Sequence, residues 1–181
     1  MKKVLTFITA ILLTPLSFYG GIYTAASEAV NFNSQIAHNF DLLTSDGFGE
    51  LKISLTAAEV VRILGEPQSK GEQQFWGADG LYHQKWNYPQ QGIILDMAGE
   101  TEQGSSMISS IRVQAPSQLK TKRGIGIGDS SAKVKQAYAQ EEDEAAPISS
   151  DYFVAGSVYG GLIFEFKNNQ VTEMFLGAMA E

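Results

Sequence analysis

Gly92-Ile93-Ile94-Leu95-Asp96-Met97 and Gly161-Leu162-Ile163-Phe164-Glu165-Phe166 match position for position, and their reading decides the fold. Each opens on glycine and then alternates with the period of a strand. Further along, Ile108-Ser109-Ser110-Ile111-Arg112-Val113 pairs in the same way with Val171-Thr172-Glu173-Met174-Phe175-Leu176. The first half carries extra residues between its two strands, within the polar stretch 98–107 (AGETEQGSSM), which reads as a hairpin tip. An earlier strand is predicted at 81–88, with a counterpart around 151–159.

A helix precedes each strand set. In residues 53–67 (ISLTAAEVVRILGEP) Thr56 has the capping-box spacing to Glu59. Val60, Ile63 and Leu64 form an apolar stripe, and Gly65 and Pro67 end it. In residues 125–140 (IGIGDSSAKVKQAYAQ) Asp129 or Ser130 caps, and Val134, Ala137 and Tyr138 make the matching stripe. Acidic residues 141–144 then lead to Pro147. The predicted fold is α+β: two tandem helix–three-strand units, 51–118 and 119–181, forming one antiparallel sheet with the helices packed on one face. Ile93, Leu95, Met97, Leu162, Phe164 and Phe166 are assigned to the helix side, joined by Ile111, Val113, Met174 and Leu176. The opposite, open face receives Ile94, Asp96, Arg112, Ile163, Glu165, Glu173 and Phe175.

The 181 residues suit a single core, and a 44% hydrophobic content excludes a disordered chain. A net charge of -7 argues against nucleic acid as partner. With no cysteine there are no disulfides, thiolate metal sites, cysteine catalysis or lipid attachment through cysteine. The N-terminus reads as a secretory signal over 1–26: Lys2 and Lys3, an apolar run over 4–16, then small residues up to Ala26. The alternative is an uncleaved anchor, opposed by Pro15 and the Gly20-Gly21 pair. Residues 27–50 read as a polar leader with one short helical turn. The expected location is periplasmic or secreted, with the membrane involved only if the signal stays uncleaved.

No catalytic constellation emerges. Residues 123–130 (RGIGIGDS) are glycine-rich but lack both the GxGxxG spacing and a GK[ST] ending, and read as a strand entering a helix cap. Asp96 and Glu165 occupy equivalent positions and read as solvated strand-face carboxylates rather than an acid/base pair. Residues 141–144 read as an exposed acidic loop, without the alternating ligands of a calcium site. His38 and His83 are too few and too far apart for a metal site or a triad, and no GxSxG elbow is present. No enzyme, cofactor or metal is expected. In the strand at 81–88, Tyr82, Gln84, Trp86 and Tyr88 share one face, and His83, Lys85 and Asn87 the other. Phe75 and Trp76 lie in segment 70–80, read as a loop, and are the aromatics expected to be partly exposed.

The helix ending in LGEP, the GIGIGDS entry to the second unit and the paired hairpins resemble the tandem-repeat proteins typified by the β-lactamase inhibitory protein. The single units are similar to the BamE/SmpA outer-membrane assembly lipoproteins. The resemblance covers about residues 51–181. It implies a continuous sheet of two α-β units, a periplasmic or secreted location and protein binding rather than catalysis. Two departures stand out: BamE-type proteins carry a lipidated cysteine and the inhibitory protein is disulfide-braced, and this chain has no cysteine for either. The resulting expectation is an exported, non-catalytic protein-binding module, inhibitor-like or envelope-associated, acting through its open sheet face on a protein partner in the envelope or outside the cell. The expected binding residues are Trp76, Asp96, Glu100, Glu102, Arg112, Glu165 and Phe175. The alternatives are an envelope-assembly factor similar to BamE and a periplasmic protein that binds a small ligand or lipid.

Overall fold

The computed structural model describes residues 42–146 and 149–178. The signal segment, His38, the start of the leader and Pro147 lie outside the described residues. The order of elements is α1 (Ala57–Leu64), β1 (Ser69–Lys70), β2 (Gln74–Trp76), β3 (Leu81–Tyr88), β4 (Ile93–Gly99), β5 (Met107–Gln114), α2 (Ser131–Ala137), β6 (Tyr152–Ala155), β7 (Gly161–Lys167) and β8 (Gln170–Gly177). All strand pairs are antiparallel, in the sheet order β1-β3-β4-β5-β8-β7-β6, and β2 pairs with β3 beside β1. Among the described residues no helix is long and apolar enough to cross a membrane.

The helix ends follow from their caps. Thr56 Oγ1 accepts the Glu59 N–H at 3.4 Å, and the Glu59 carboxylate accepts the Thr56 N–H at 2.8 Å. Gly65, at φ 81, stops α1 where a side chain would be strained. Ser130, not Asp129, caps α2, its hydroxyl accepting the Lys133 N–H at 3.3 Å. Asp129 instead accepts the Gly126 N–H at 2.8 Å and pairs with Lys133 Nζ. Each cap is stitched to a strand: Ala57 N–H donates to Ser106 and Ile108 N–H to Leu55, while Ser131 N–H donates to Asn169 and Val171 N–H to Asp129.

The sheet dominates; among the described residues α1 and α2 are short, and residues 42–45, at the end of the segment read as a leader, are helical as well. Segment 70–80 is not the loop that its glycines and glutamines suggest. Gly71 N–H donates to the Lys85 carbonyl at 2.8 Å, and β2 continues the pairing along β3. The first half therefore has five strands and the second three, so the expected helix–three-strand count is not met as such.

Val60 of α1 and Val134 of α2 are fully buried in one cluster with Leu95, Ile111, Phe164 and Met174, so both helices cover the same face. The end of the segment read as a leader belongs to this core. Leu42, Phe48 and Leu51 are buried, and the Asp46 carboxylate accepts from Tyr138 Oη at 2.7 Å, Gly47 N at 2.8 Å and Lys122 N at 3.0 Å. Burial, above all, pushes the Tyr138 hydroxyl up from its ordinary value.

The second face is only partly open. Val154, Ile163 and Phe175 form a small core of their own, with Ala146, Tyr152 and Val158 packed against it. Asp143 N–H donates to Val154 O, which brings the 141–146 loop over that end. The expected exposure of Phe175 is thus overturned: it is buried, with the Arg112 guanidinium 5.3 Å from its ring centre. Phe48→Ala would leave a cavity with no free surface to collapse into, and should lower stability by about 3–5 kcal/mol in denaturant unfolding. Phe175→Ala should also destabilise measurably, by about 2–4 kcal/mol.

Candidate functional site

At the outer edge of the sheet the register builds a compact polar cluster under an exposed aromatic strand. His83 lies on the face opposite the helices and is 5% exposed. Its Nδ1 is 2.6 Å from Asp96 Oδ2 and its Nε2 is 2.9 Å from Asp79 Oδ2. Each ring nitrogen faces a carboxylate oxygen, and a nitrogen that carries a proton donates to the oxygen it faces. The Trp76 ring lies flat over the imidazole, with centroids 3.8 Å apart and planes 11° from parallel.

Each partner is placed by the chain for a local reason. Asp79 sits in the β2–β3 turn, where its Oδ1 accepts the Leu81 N–H at 3.0 Å. Burial is the largest single influence on its carboxyl and acts upward. The Leu81 N–H and His83 together outweigh that and hold it below the usual aspartate value. Asp96 borders an irregularity of the β4–β5 pairing, where Asp96 pairs with Ser110 and Met97 with Ile108, leaving Ser109 of β5 as the extra, bulged residue. Such a bulge re-aims a side chain. Ser109 Oγ donates to Asp96 Oδ2 at 2.9 Å and lies 3.1 Å from the Asp96 carbonyl. Asp96 Oδ1 is buried with no partner in hydrogen-bond reach.

The cluster runs Ser109–Asp96–His83–Asp79. The serine hydroxyl points at a carboxylate rather than at the imidazole, so His83 is not placed as its base. The carboxylates converge on one ring rather than on a common point, and among the described residues no group of three metal-ligating side chains is arranged for an ion. What the geometry does is fix Trp76 and the turn beneath it.

Above this support the surface is aromatic and acidic. Phe75 is 59% exposed and packs at 5.3 Å against the Tyr82 ring on the helix side of the sheet. Met107, at the start of β5, is 48% exposed. Tyr82 pairs with Gly99, so the 99–106 hairpin tip stands at the same end, with Glu100 and Glu102 exposed on it. Neither 71–84 nor 86–111 contains a lysine or arginine.

The seven expected binding residues therefore divide. Trp76, Glu100 and Glu102 stand at the same end of the sheet, on β2 and on the β4–β5 tip with β3 between them, Trp76 half-buried on His83. Asp96 is not a solvated carboxylate, because the bulge and His83 draw it in. Arg112 pairs with Glu173 and stacks on Phe175, which occupies it internally. Burial pushes the Glu173 carboxyl up, with Arg112 opposing and the facing Glu165 adding. Glu165 is exposed on a distant strand, and Phe175 is buried. Sequence reasoning missed Asp79 and Ser109. The shared face of His83 and Asp96 was readable, but their meeting depends on a register that no local pattern fixes.

His83→Ala should cost about 3 kcal/mol by stripping a donor from the buried Asp96, and should shift the Trp76 emission to the red. The folded value of Asp79 lies below its unfolded one. Its contribution is present above about pH 4 and fades as pH falls through the folded value. Asp79→Asn should therefore flatten the acid limb of a plot of melting temperature against pH while leaving its shape above about pH 5 unchanged. Comparisons with protein-family models, curated proteins and solved structures found no match to this chain.

Proposed function

We propose that this chain is an exported, non-catalytic protein-binding module whose contact surface is the Phe75–Trp76 edge with the neighbouring 99–106 tip, rather than the whole sheet face opposite the helices. The observation that carries the reading is the exposure of Phe75 beside Trp76, which is stacked on His83, itself buried against Asp96 and tied to the exposed Asp79 of the turn. Large aromatics held rigid at the surface give contact area at little entropic cost, and such residues dominate binding energies. The signal-like N-terminus supports export.

The architecture we propose is the tandem α-β repeat, similar to that of the β-lactamase inhibitory protein and, unit by unit, to BamE. Several geometric correspondences support it. The capping Thr56 and Ser130 bridge to Met107 and Gln170, each at the start of its unit's last strand. Ser54 and Gly128, two residues before those caps, both have positive φ and both donate an N–H to that strand, at Ile108 and Val171. Register shifts occur after the matching Asp96 and Glu165, and the extra residues Ser109 and Thr172 each place a hydroxyl within hydrogen-bond distance of that residue's carbonyl, at 3.1 and 3.3 Å.

A cleft of about 350 Å³ beside the end of α1, lined by Leu64, Ile93, Pro116 and Leu119, supports the small-ligand reading as the second choice. Native mass spectrometry of the purified chain would show a co-purifying adduct if that reading holds.

For the leading reading, the chain from Ser27 serves as bait for cross-linked capture from envelope and medium fractions. Phe75→Ala should cut recovery of its partner about tenfold, the scale of a truncated hot spot, without changing the melting temperature. Glu165→Gln should leave recovery intact. Full recovery with Phe75→Ala would place the contact elsewhere.

A further inference from the structure

The proposed contact surface is also a strand edge. Among the described residues β2 pairs only with β3, and Gln74 and Phe75 are exposed. β1 and β2 are two short pieces with residues 71–73 between them, so among the described residues the outer side of 69–76 is an unpaired border of the sheet. Natural edges are protected by charge, proline or cover. Here protection is partial: Lys70 stands over the Trp86 ring at 4.1 Å, and Gln73 to Trp76 carry no charge at all.

We infer that this edge binds an extended, cationic segment of a partner protein by strand addition, its backbone pairing with β2 and its basic side chains drawn by Glu72 on the edge itself and by the longer-range field of Glu100 and Glu102 at the same end of the sheet. The inference rests on the protein-binding reading and names the partner's chemistry. Charge decides between occupants. Glu72, Asp79, Asp96, Glu100 and Glu102 lie in 71–111, where Lys85 is the one lysine or arginine, and Asp79 and Asp96 share the His83 ring. A second copy set edge to edge would bring acid against acid. A lysine- or arginine-bearing strand instead gains attraction that also speeds its approach. Main-chain bonds supply affinity in this mode, and pockets for alternate side chains supply choice. Phe75 and Tyr82 offer one such apolar contact on the helix side of the sheet, and Trp76 another on the opposite side.

The probe is an eight-residue peptide of alternating lysine and valine, titrated into the labelled chain from Ser27 by NMR at low salt. The same peptide with glutamate for lysine, and one N-methylated at two adjacent central residues so that either edge is blocked, serve as controls. Expected are amide shifts centred on residues 74–76, binding about tenfold weaker for each control, and a further loss in raised salt. Phe75→Ala should weaken binding about fivefold.

Equal binding of the N-methylated peptide would overturn strand addition. Equal binding of the glutamate peptide would overturn the cationic partner. Shifts confined to the acidic 141–144 loop would overturn the location. Self-association abolished by Phe75→Ala would make a second copy the occupant. Absence of any binding would overturn this inference while leaving the protein-binding reading to the capture experiment, which does not require an extended partner.

Discussion

Four residue pairs, Ile111 with Leu176, Arg112 with Phe175, Val113 with Met174 and Gln114 with Glu173, join β5 to β8 and make one sheet of what would otherwise be two. Everything buried depends on that seam. Ile111, Val113, Met174 and Leu176 are its inward side chains, and the two helices can share a core only because the seam makes their sheet face continuous. Each strand set with its helix is short enough that it would be a marginal domain alone, since small chains bury a smaller share of their surface. The seam's outward side carries Arg112, Glu173 and Phe175, so the guanidinium that looked free for a partner is consumed in closing the junction.

The two ends of the sheet use one framework differently. At the β6 end the chain before the strand folds over the outer face, hiding Val154, Ile163 and Phe175. At the β3 end the corresponding chain runs alongside the sheet as β1 and β2, leaving Phe75 in solvent. The polar cluster holds the shape of that end, which no loop covers among the described residues. Asp79 in the turn and Asp96 on the strand hold one imidazole between them, and the imidazole holds Trp76. An aromatic edge that is ordered before it meets a partner loses little entropy on binding.

Much of the framework was legible because it is local. Thr56, Glu59 and Gly65 fix α1 through contacts a few residues apart, and β3 falls on its predicted residues because alternation and flanking turns agree there. The faces of Leu95, Phe164 and their neighbours followed from the period of two. The site was less legible. Gly71 and the glutamines of 73–74 lack strand character, and they pair only because β3 offers an edge. Ser109 is a bulge residue, invisible to a period of two. Asp96 was assigned to the correct face but to the wrong environment, since burial there arises from a cross-strand histidine and a tryptophan brought in by a separate strand. Phe175 failed for the same reason, covered by a loop whose docking no local pattern announces.

The proposed function turns on recognition at the Phe75 edge rather than at the far end of the face opposite the helices. A photo-activatable cross-linking residue placed at position 75, and in a parallel chain at the exposed position 165, tests this in the cells that produce the protein. Expected is a discrete adduct from position 75 and none from position 165. An adduct from position 165 with none from position 75 would contradict it.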